Sequence, residues 1–336
     1  MLSGNNEKIK SDSLENKINA IDTTSDKLTG RAGLSFFIRY IDNIGINAVI
    51  KRFFGSLRKS SKGGKISDIF KQLYCFFLDG SSRHMTHFDS LKKDEGYAAT
   101  LEFNQDQLCS SHSIKRFFNS FSYLRNRLFR KLLQRLFIWR LQLQRPEILI
   151  LDIDTVVMDN DDAQKREGVS PTYKKKKGFQ PFLIKWDRYI VDGVFRGGKK
   201  HSNNGNTVKN ALGHLVGLVR NNYRGDIPII VTCDGGFFDQ KLFEFFECEL
   251  GIHYICSGKL YADDSERVAG FKEEDFFFVE KRISANYKSQ WKCVEFTNRR
   301  KSWKKARRAI YTVHTMESNQ RLLLGVERIY YTNRCP

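Results

Sequence analysis

The sequence predicts an α/β protein with a mixed β-sheet and flanking helices, preceded by a helical region and followed by a β-rich one. Before Pro146, apolar residues recur every three or four positions, which is typical of amphipathic helices. From residue 148 to about 256, short aliphatic runs alternate with helical segments, as in layered α/β domains. After residue 257, short strand-like runs flank a basic block.

This pattern divides the chain into four regions. Residues 1–30 are polar and mixed in charge and are expected to form a flexible arm; residues 31–146 form a helical DNA-binding region; residues 147–256 form the sheet domain; residues 257–336 form a β-rich insertion. Within the sheet domain we predict strands at 148–154, 180–186 and 189–195, a helix at 206–221, a strand at 227–233, a helix at 238–250 and a strand at 252–256. That order is the one found in the ribonuclease H-like fold.

The composition indicates the class of partner. The chain has 57 Lys and Arg against 38 Asp and Glu, a formal charge of +19, which attracts polyanions such as nucleic acid. No run of 18 apolar residues and no signal-peptide core is present, so we expect no membrane partner and a cytoplasmic location. The seven cysteines form no C-x-x-C pair, which favours reduced thiols over structural zinc.

Two apolar runs, Ile148–Thr155 and Ile227–Phe237, reach a carboxylate next to turn residues, at Asp154 and Asp234. Buried parallel strands end in this way, and neighbouring strands would bring the two carboxylates together. Asp152 shares a strand face with Asp154, because side chains alternate with period two. Converging carboxylates on a basic protein suggest a divalent metal bound against phosphate. In the alternative reading, these residues cap strand ends, and Asp234 caps a helix at Phe238.

Two segments are strongly cationic. No acidic residue occurs between Gln107 and Pro146, and the amphipathic pattern there predicts a helix with a cationic outer face. From this segment the candidate DNA contacts are Arg125, Arg127, Arg130, Lys131 and Arg135. From the second they are Arg299, Arg300, Lys301, Trp303, Lys304, Lys305, Arg307 and Arg308, in which an aromatic among cations suits stacking beside backbone contact. In each case the alternative is a solvated basic surface.

Four motifs in this order resemble the bacterial insertion-sequence transposases with a DDE-type, ribonuclease H-like catalytic domain. They are Leu151-Asp-Ile-Asp-Thr155, Lys177-Gly-Phe-Gln-Pro-Phe182, Phe195-Arg-Gly-Gly-Lys-Lys-His-Ser202 and Thr232-Cys-Asp-Gly-Gly-Phe-Phe238. The segment Ser111–Phe118 is similar to the helical segment that precedes the catalytic domain in this family. Thr232 departs from the family pattern, which commonly has Arg at this position.

The resemblance implies that Asp154 is the first catalytic acid, with Asp152 as the reserve candidate, and that Asp234 is the second. It also implies Mg²⁺ or Mn²⁺ held by acidic residues, double-stranded transposon-end and target DNA as partners, and a homodimer on DNA. The third acid of the family follows the insertion; Glu280, Glu295, Glu317 and Glu327 come too early, so we expect a chain truncated before it. The alternatives are a non-catalytic DNA-binding remnant or inhibitor and a metal-dependent nuclease.

Overall fold

The computed structural model describes residues 25–57, 64–122, 125–161, 167–284, 287–318 and 321–333. Most of the arm predicted for residues 1–30 lies outside these ranges. The chain divides into two compact units, residues 1–125 and 126–336. The first unit is helical, and the second contains all of the sheet. The helix predicted between Gln107 and Pro146 is therefore two helices, one in each unit.

In the first unit, the described residues form six α-helices. They are α1 (Leu34–Asn43), α2 (Ile46–Phe54), α3 (Ile66–Asp79), α4 (His87–Leu91), α5 (Glu95–Thr100) and α6 (Ser111–Asn119). Gly45 separates α1 from α2, because its backbone has φ of 71°, which a side chain would disfavour. The helices bury one apolar face each, with Ile50, Phe54 and Ile69 almost fully buried. Arg31 joins Asp79 to Asp94 by two ion pairs.

The second unit begins with a long helix and contains three others in its described residues. They are α7 (Arg127–Gln144), α8 (Thr207–Asn222), α9 (Gln240–Glu244) and α10 (Ala262–Ala269). A π-helical segment, Phe245–Leu250, continues α9 and completes the helix predicted at 238–250. α7 ends at Arg145, which adopts the left-handed conformation immediately before Pro146. It packs against the edge of the sheet and against α8, which is why it belongs to this unit.

Twelve strands are described in the second unit. They are β1 (Leu149–Thr155), β2 (Met158–Asp159), β3 (Ser170–Pro171), β4 (Lys177–Phe179), β5 (Phe182–Trp186), β6 (Tyr189–Val194), β7 (Ile229–Cys233), β8 (His253–Gly258), β9 (Phe277–Ser284), β10 (Tyr287–Asn298), β11 (Arg307–Ser318) and β12 (Arg321–Thr332). Strands β2, β4 and β3 form a small separate sheet. The other nine form one sheet in the order β6-β5-β1-β7-β8-β12-β11-β10-β9.

The first five strands of this order form the predicted ribonuclease H-like core. β1, β7 and β8 are parallel; β5 is the antiparallel neighbour of β1, and β6 is the antiparallel neighbour of β5 at the edge of the sheet. Leu151, Ile153 and Val231 are buried on the face that packs against α8. The fold class predicted from the sequence is thus confirmed, and its parallel centre brings the carboxyl ends of β1 and β7 to the same edge.

The β-rich region after residue 257 is a four-stranded antiparallel extension of the same sheet. β12 pairs with β8, and β11, β10 and β9 follow outward. The sequence predicted strand-like runs at β9, β11 and β12 but missed β10, whose polar and apolar residues alternate through Lys288, Gln290 and Lys292. No helix of the described residues combines the length and apolarity needed to cross a membrane.

Candidate active site

The carboxyl edge of β1 and β7 holds the two predicted acids. Asp152 of β1 lies beside Thr232 of β7, and Ile153 lies beside Cys233. Asp154 is the next residue of β1, and Asp234 is the residue that follows β7, with a backbone that is still extended at φ −82° and ψ 176°. Side chains of residues that lie opposite each other on adjacent parallel strands point to the same face of the sheet. Asp154 and Asp234 therefore lie at the carboxyl edge of neighbouring parallel strands, and their role as a pair of acids stays a prediction.

Each acid uses one oxygen to fix its own backbone. Asp154 Oδ1 accepts a hydrogen bond from the Thr155 N–H at 2.7 Å. Asp234 Oδ1 accepts one from the Gly236 N–H at 2.9 Å and so caps the short 3₁₀ turn Gly235–Phe237. The capping alternative for Asp234 is therefore observed, one turn earlier than expected. The second oxygen of Asp234 has no hydrogen-bond partner among the described residues, whereas that of Asp154 forms an ion pair with Lys185; the Asp154 side chain is partly exposed and Asp234 is exposed.

Asp152 is held differently from Asp154, although the two share a face as predicted. Its Oδ1 accepts a hydrogen bond from the Thr232 hydroxyl at 3.1 Å. Its Oδ2 lies 2.9 Å from Lys185 Nζ, and the same Nζ lies 3.6 Å from Asp154 Oδ2. The hydrogen bond from Lys185 to Asp152, opposed by partial burial, raises the pKa of Lys185 above its ordinary value, so the ammonium remains charged. Both oxygens of Asp152 thus have protein partners.

Sequence analysis alone does not single out Lys185. It lies on β5 opposite Asp152, in a strand that otherwise reads as apolar, Phe182-Leu-Ile-Lys-Trp186. The one sequence signal is a single charged residue within an apolar strand, which indicates that its side chain lies on the more open face of the sheet. Its partner could not be inferred without the register of β5 on β1.

Arg196 forms hydrogen bonds that connect the first three of the predicted motifs close to Asp154. It is 7% exposed, and it donates from Nε to the Gln180 carbonyl at 3.0 Å and from Nη1 to the Ser202 carbonyl at 3.2 Å. Its Nη2 donates to Thr155 Oγ1 at 3.1 Å, next to Asp154. Burial lowers the pKa of this guanidinium from its ordinary value. Arg196 therefore anchors the strand end that carries Asp154 to the loop that carries Ser202.

Gly236, two residues after Asp234, allows the loop that carries Ser202 to approach. A β-carbon at Gly236 would lie 2.6 Å from Ser202 Oγ and 3.0 Å from Asp234 Oδ1. Such distances are shorter than van der Waals contact, so any larger residue here must displace the serine or the carboxylate. Gly236 is therefore required by the packing of this edge as well as by the turn.

The donor set at this edge fits a hard divalent cation. Mg²⁺ is commonly bound by one or two carboxylates, with water and substrate phosphate as the other ligands. Asp154 and Asp234 supply two such carboxylates in one row. The described part of the chain holds no group of three His, Cys, Asp or Glu residues arranged for a metal ion. Of the glutamates judged too early to be the third acid, Glu295 forms an ion pair with Arg308 within the insertion.

A protein-family comparison matches residues 12–328 to the family described as transposase DDE domain group 1. The chain belongs to this transposase family. The match spans most of the sequence, and it agrees with the resemblance found in the four motifs. No curated protein sequence matches.

Solved structures of transposases are also similar to this transposase-family chain. A piggyBac transposase synaptic complex with hairpin DNA is 14% identical, with a TM-score of 0.30; the match covers 88% of this chain and 62% of that one. A Mos1 mariner paired-end complex with Mn is 10% identical, with a TM-score of 0.22, covering 66% and 76%. A pre-cleavage Mos1 transpososome is 7% identical, with a TM-score of 0.22, covering 68% and 78%. The chain thus spans less than two thirds of the piggyBac chain.

The cationic residues of α7 fall into two groups. Arg127, Lys131 and Arg135 are exposed. Arg130 instead binds the fully buried Asp192 of β6 through two hydrogen bonds of 2.7 Å, and Gln134 donates to the same carboxylate at 2.9 Å. The structure therefore gives Arg130 a role inside the fold. Arg125 is exposed at the end of the first unit.

The second cationic segment, the turn between β10 and β11, is largely paired with acids that are distant in the sequence. Arg300 binds Asp264, Lys304 binds Glu244, and Arg308 binds Glu295. Lys305 and Arg307 both bind Glu247 of the π-helical segment. Despite its burial, these hydrogen bonds hold the pKa of Glu247 below its usual range.

Trp303 lies at the centre of this basic turn. It is 5% exposed and packs against Phe238 and Tyr331, with the Arg307 guanidinium 4.9 Å from its ring centre. Stacking on nucleic acid requires an exposed ring, so the structure corrects the stacking role predicted for Trp303: it is a core residue. Arg299 and Lys301 are the members of the turn for which the described residues offer no acidic partner.

Proposed function

We propose that this chain is a DDE transposase of the insertion-sequence type that binds transposon-end DNA and carries out metal-dependent strand cleavage and transfer. The observation that carries the proposal is the row formed by Asp154 and Asp234 at the carboxyl edge of two adjacent parallel strands. Membership of the transposase family supports the reaction class. Transposon-end and target DNA, and a second copy of the chain on DNA, are the partners we infer.

The chain's own residues suit this chemistry. Asp154 and Asp234 would hold Mg²⁺ or Mn²⁺ through the oxygens that their backbone hydrogen bonds leave available. When bound, the ion would lower the pKa of a water or a 3′-hydroxyl and neutralise charge on the phosphate under attack. The Thr155 and Gly236 N–H groups orient the two carboxylates, and Arg196 holds the strand end that carries Asp154. The exposed cations of α7 would contact DNA phosphates.

One observation favours a second function, a DNA-binding protein without catalysis that occupies transposon ends. The described residues bring two carboxylates into the row, and the nearby third one, Asp152, is bound on both oxygens by Thr232 and Lys185. A site with two available acids binds metal more weakly than one with three. A metal-dependent nuclease, acting without transposon ends, is the remaining alternative.

Cleavage of labelled transposon-end DNA with Mg²⁺ or Mn²⁺ tests the proposal. The chain is compared with its Asp154→Asn and Asp234→Asn variants, and with Asp226→Asn as the matched control. Asp226 is also an exposed aspartate beside β7, but it precedes the strand and pairs with Arg224. We expect Asp154→Asn and Asp234→Asn each to reduce cleavage by at least ~10²-fold and Asp226→Asn to have no effect.

The outcomes separate the three functions. Cleavage that needs both acids and the specific transposon ends supports the transposase. Cleavage that needs both acids but accepts any DNA supports the nuclease. Salt-sensitive binding to the ends without cleavage supports the non-catalytic DNA-binding protein. Cleavage unaffected by either substitution contradicts the assignment of this edge as the active site.

A further inference from the structure

Among the described cations of the second unit, Lys185 is the one that forms ion pairs with Asp152 and Asp154. It reaches from β5 across to β1 and lies between Asp152 and Asp154 on the more open face of the sheet. Its side chain is 31% exposed, and those of Asp152 and Asp154 are 46% and 40% exposed. A charged group in this position acts on whatever binds to Asp154.

The two distances from Lys185 Nζ show which acid holds it. At 2.9 Å, Asp152 Oδ2 is within hydrogen-bond range, whereas at 3.6 Å, Asp154 Oδ2 is beyond it. Thr232 occupies the other oxygen of Asp152. Asp152 therefore has one partner on each oxygen, from the flanking strands β5 and β7, while Asp154 pairs with the same ammonium at a longer distance.

We propose that Lys185 is a positioning residue, an internal cation that keeps Asp152 out of the metal site and competes with a divalent ion for Asp154. The proposal rests on the proposed function, since it assumes that Asp154 and Asp234 bind the ion. A divalent ion bound to Asp154 Oδ2 would lie close to the Lys185 ammonium. The two positive charges would repel each other. Loss of the ammonium would also free Asp152, two residues before Asp154 on β1, as an additional carboxylate ligand.

Four variants test this role of Lys185. Lys185→Met removes the repulsion and releases Asp152, so we expect Mn²⁺ to bind roughly 3- to 10-fold more tightly. Asp152→Asn leaves Lys185 with Asp154 as its nearest acid, so we expect weaker Mn²⁺ binding by a similar factor. In the Lys185→Met, Asp152→Asn double variant the released carboxylate is absent, so part of the gain seen with Lys185→Met is lost. Lys185→Arg keeps the charge and should bind Mn²⁺ within about twofold of the original chain.

Titration of the full chain with Mn²⁺, followed by calorimetry and by electron paramagnetic resonance of the ion, measures these affinities without reference to DNA cleavage. The thermal unfolding midpoint of each variant checks that it is folded, and Asp154→Asn shows which binding occurs at this site. Tighter binding by Lys185→Met, reduced again by Asp152→Asn, is the expected result.

Unchanged or weaker binding by a folded Lys185→Met variant overturns the role of Lys185 and leaves the proposed function standing. Equal tightening by Lys185→Arg also overturns it, because the charge is then not the cause. If Mn²⁺ binding by the original chain does not depend on Asp154, the metal site of the proposed function fails, and the role of Lys185 fails with it.

Discussion

A single methyl group tests how closely the candidate site is packed. Gly236→Ala places a β-carbon 2.6 Å from Ser202 Oγ, 3.0 Å from Ser202 Cβ and 3.0 Å from Asp234 Oδ1. The serine hydroxyl can rotate, but its β-carbon and the carboxylate cannot both stay in place. We expect Gly236→Ala to reduce metal-dependent cleavage by ~10-fold or more and to destabilise the fold by about 1–3 kcal/mol, as measured by DNA cleavage and by urea denaturation.

Gly217 is the matched control for this change. It lies within α8, and a β-carbon there meets nothing within 4 Å. Gly217→Ala should stabilise the chain by about 0.5–1 kcal/mol through helix propensity and leave cleavage unchanged. Adding Ser202→Gly to Gly236→Ala should recover part of the lost activity, because it removes one of the two colliding groups. Equal activity in both alanine variants would show that the close approach of Ser202 has no bearing on the site.

At the level of single elements, α7 separates cations that hold the fold from cations that face solvent. Arg130→Met leaves Asp192 fully buried without its bidentate partner, so we expect a loss of about 3 kcal/mol in the free energy of unfolding. Arg127→Met, one turn earlier on the exposed side, should change it by less than about 0.5 kcal/mol. Chemical denaturation of both variants provides the measurement.

The same two substitutions should affect DNA affinity in the opposite order to their effects on stability. Arg127→Met is expected to weaken binding, because its charge is available to a phosphate, whereas folded Arg130→Met should bind DNA with nearly the original affinity. If Arg130→Met is as stable as Arg127→Met, or if it alone loses DNA affinity, the division of α7 into structural and contacting cations is wrong.

The ion pairs of the β10–β11 turn make the attachment of the insertion sensitive to acid. The lowered pKa of Glu247 means that it stabilises the folded state above the pKa it has when unfolded. That stabilisation is lost as the pH falls through the folded-state value. Glu247→Gln should therefore be less stable than the original chain by about 3 kcal/mol at pH 7, with the difference shrinking as the pH falls towards 3.

Denaturation at a series of pH values checks this expectation. Glu274→Gln is the matched control, because Glu274 forms a highly exposed ion pair with Lys272 and its removal should have little effect at any pH. A difference between Glu247→Gln and the original chain that stays constant from pH 7 to pH 3 would mean that the charge of Glu247 is not what stabilises the turn.

The elements that the sequence predicted well are those whose signals are local. Short apolar runs marked β1, β5, β6, β7 and β8, and an aspartate beside glycine marked the end of β7. The role of Lys185 depends on the register of β5 on β1, which no local pattern encodes. The burial of Trp303 and the ion pairs of the basic turn could not be predicted for the same reason, because Arg307 and its partner Glu247 are 60 residues apart in the chain.

The whole molecule has a formal charge of +19, so exposed cations outnumber exposed acids even though many cations form ion pairs within the fold. Each exposed cation that contacts a phosphate displaces counterions, so log Kobs should fall linearly with log salt concentration. Replacing Arg127, Lys131 and Arg135 by glutamine should reduce the steepness of that dependence by about 0.9 for each lost contact, or up to about 2.7 in total. Fluorescence anisotropy with duplex DNA at several salt concentrations gives the slope.

A second triple variant separates local contacts from net charge. Replacing Arg188, Lys241 and Lys272 by glutamine also removes three positive charges, but from exposed positions outside α7. If α7 contacts the DNA backbone directly, only the first variant should flatten the salt dependence, while both variants slow association by weakening the long-range attraction. Equal flattening by both variants would show that the total charge, with no preferred face, accounts for the affinity, and α7 would then lose its assignment as a DNA contact.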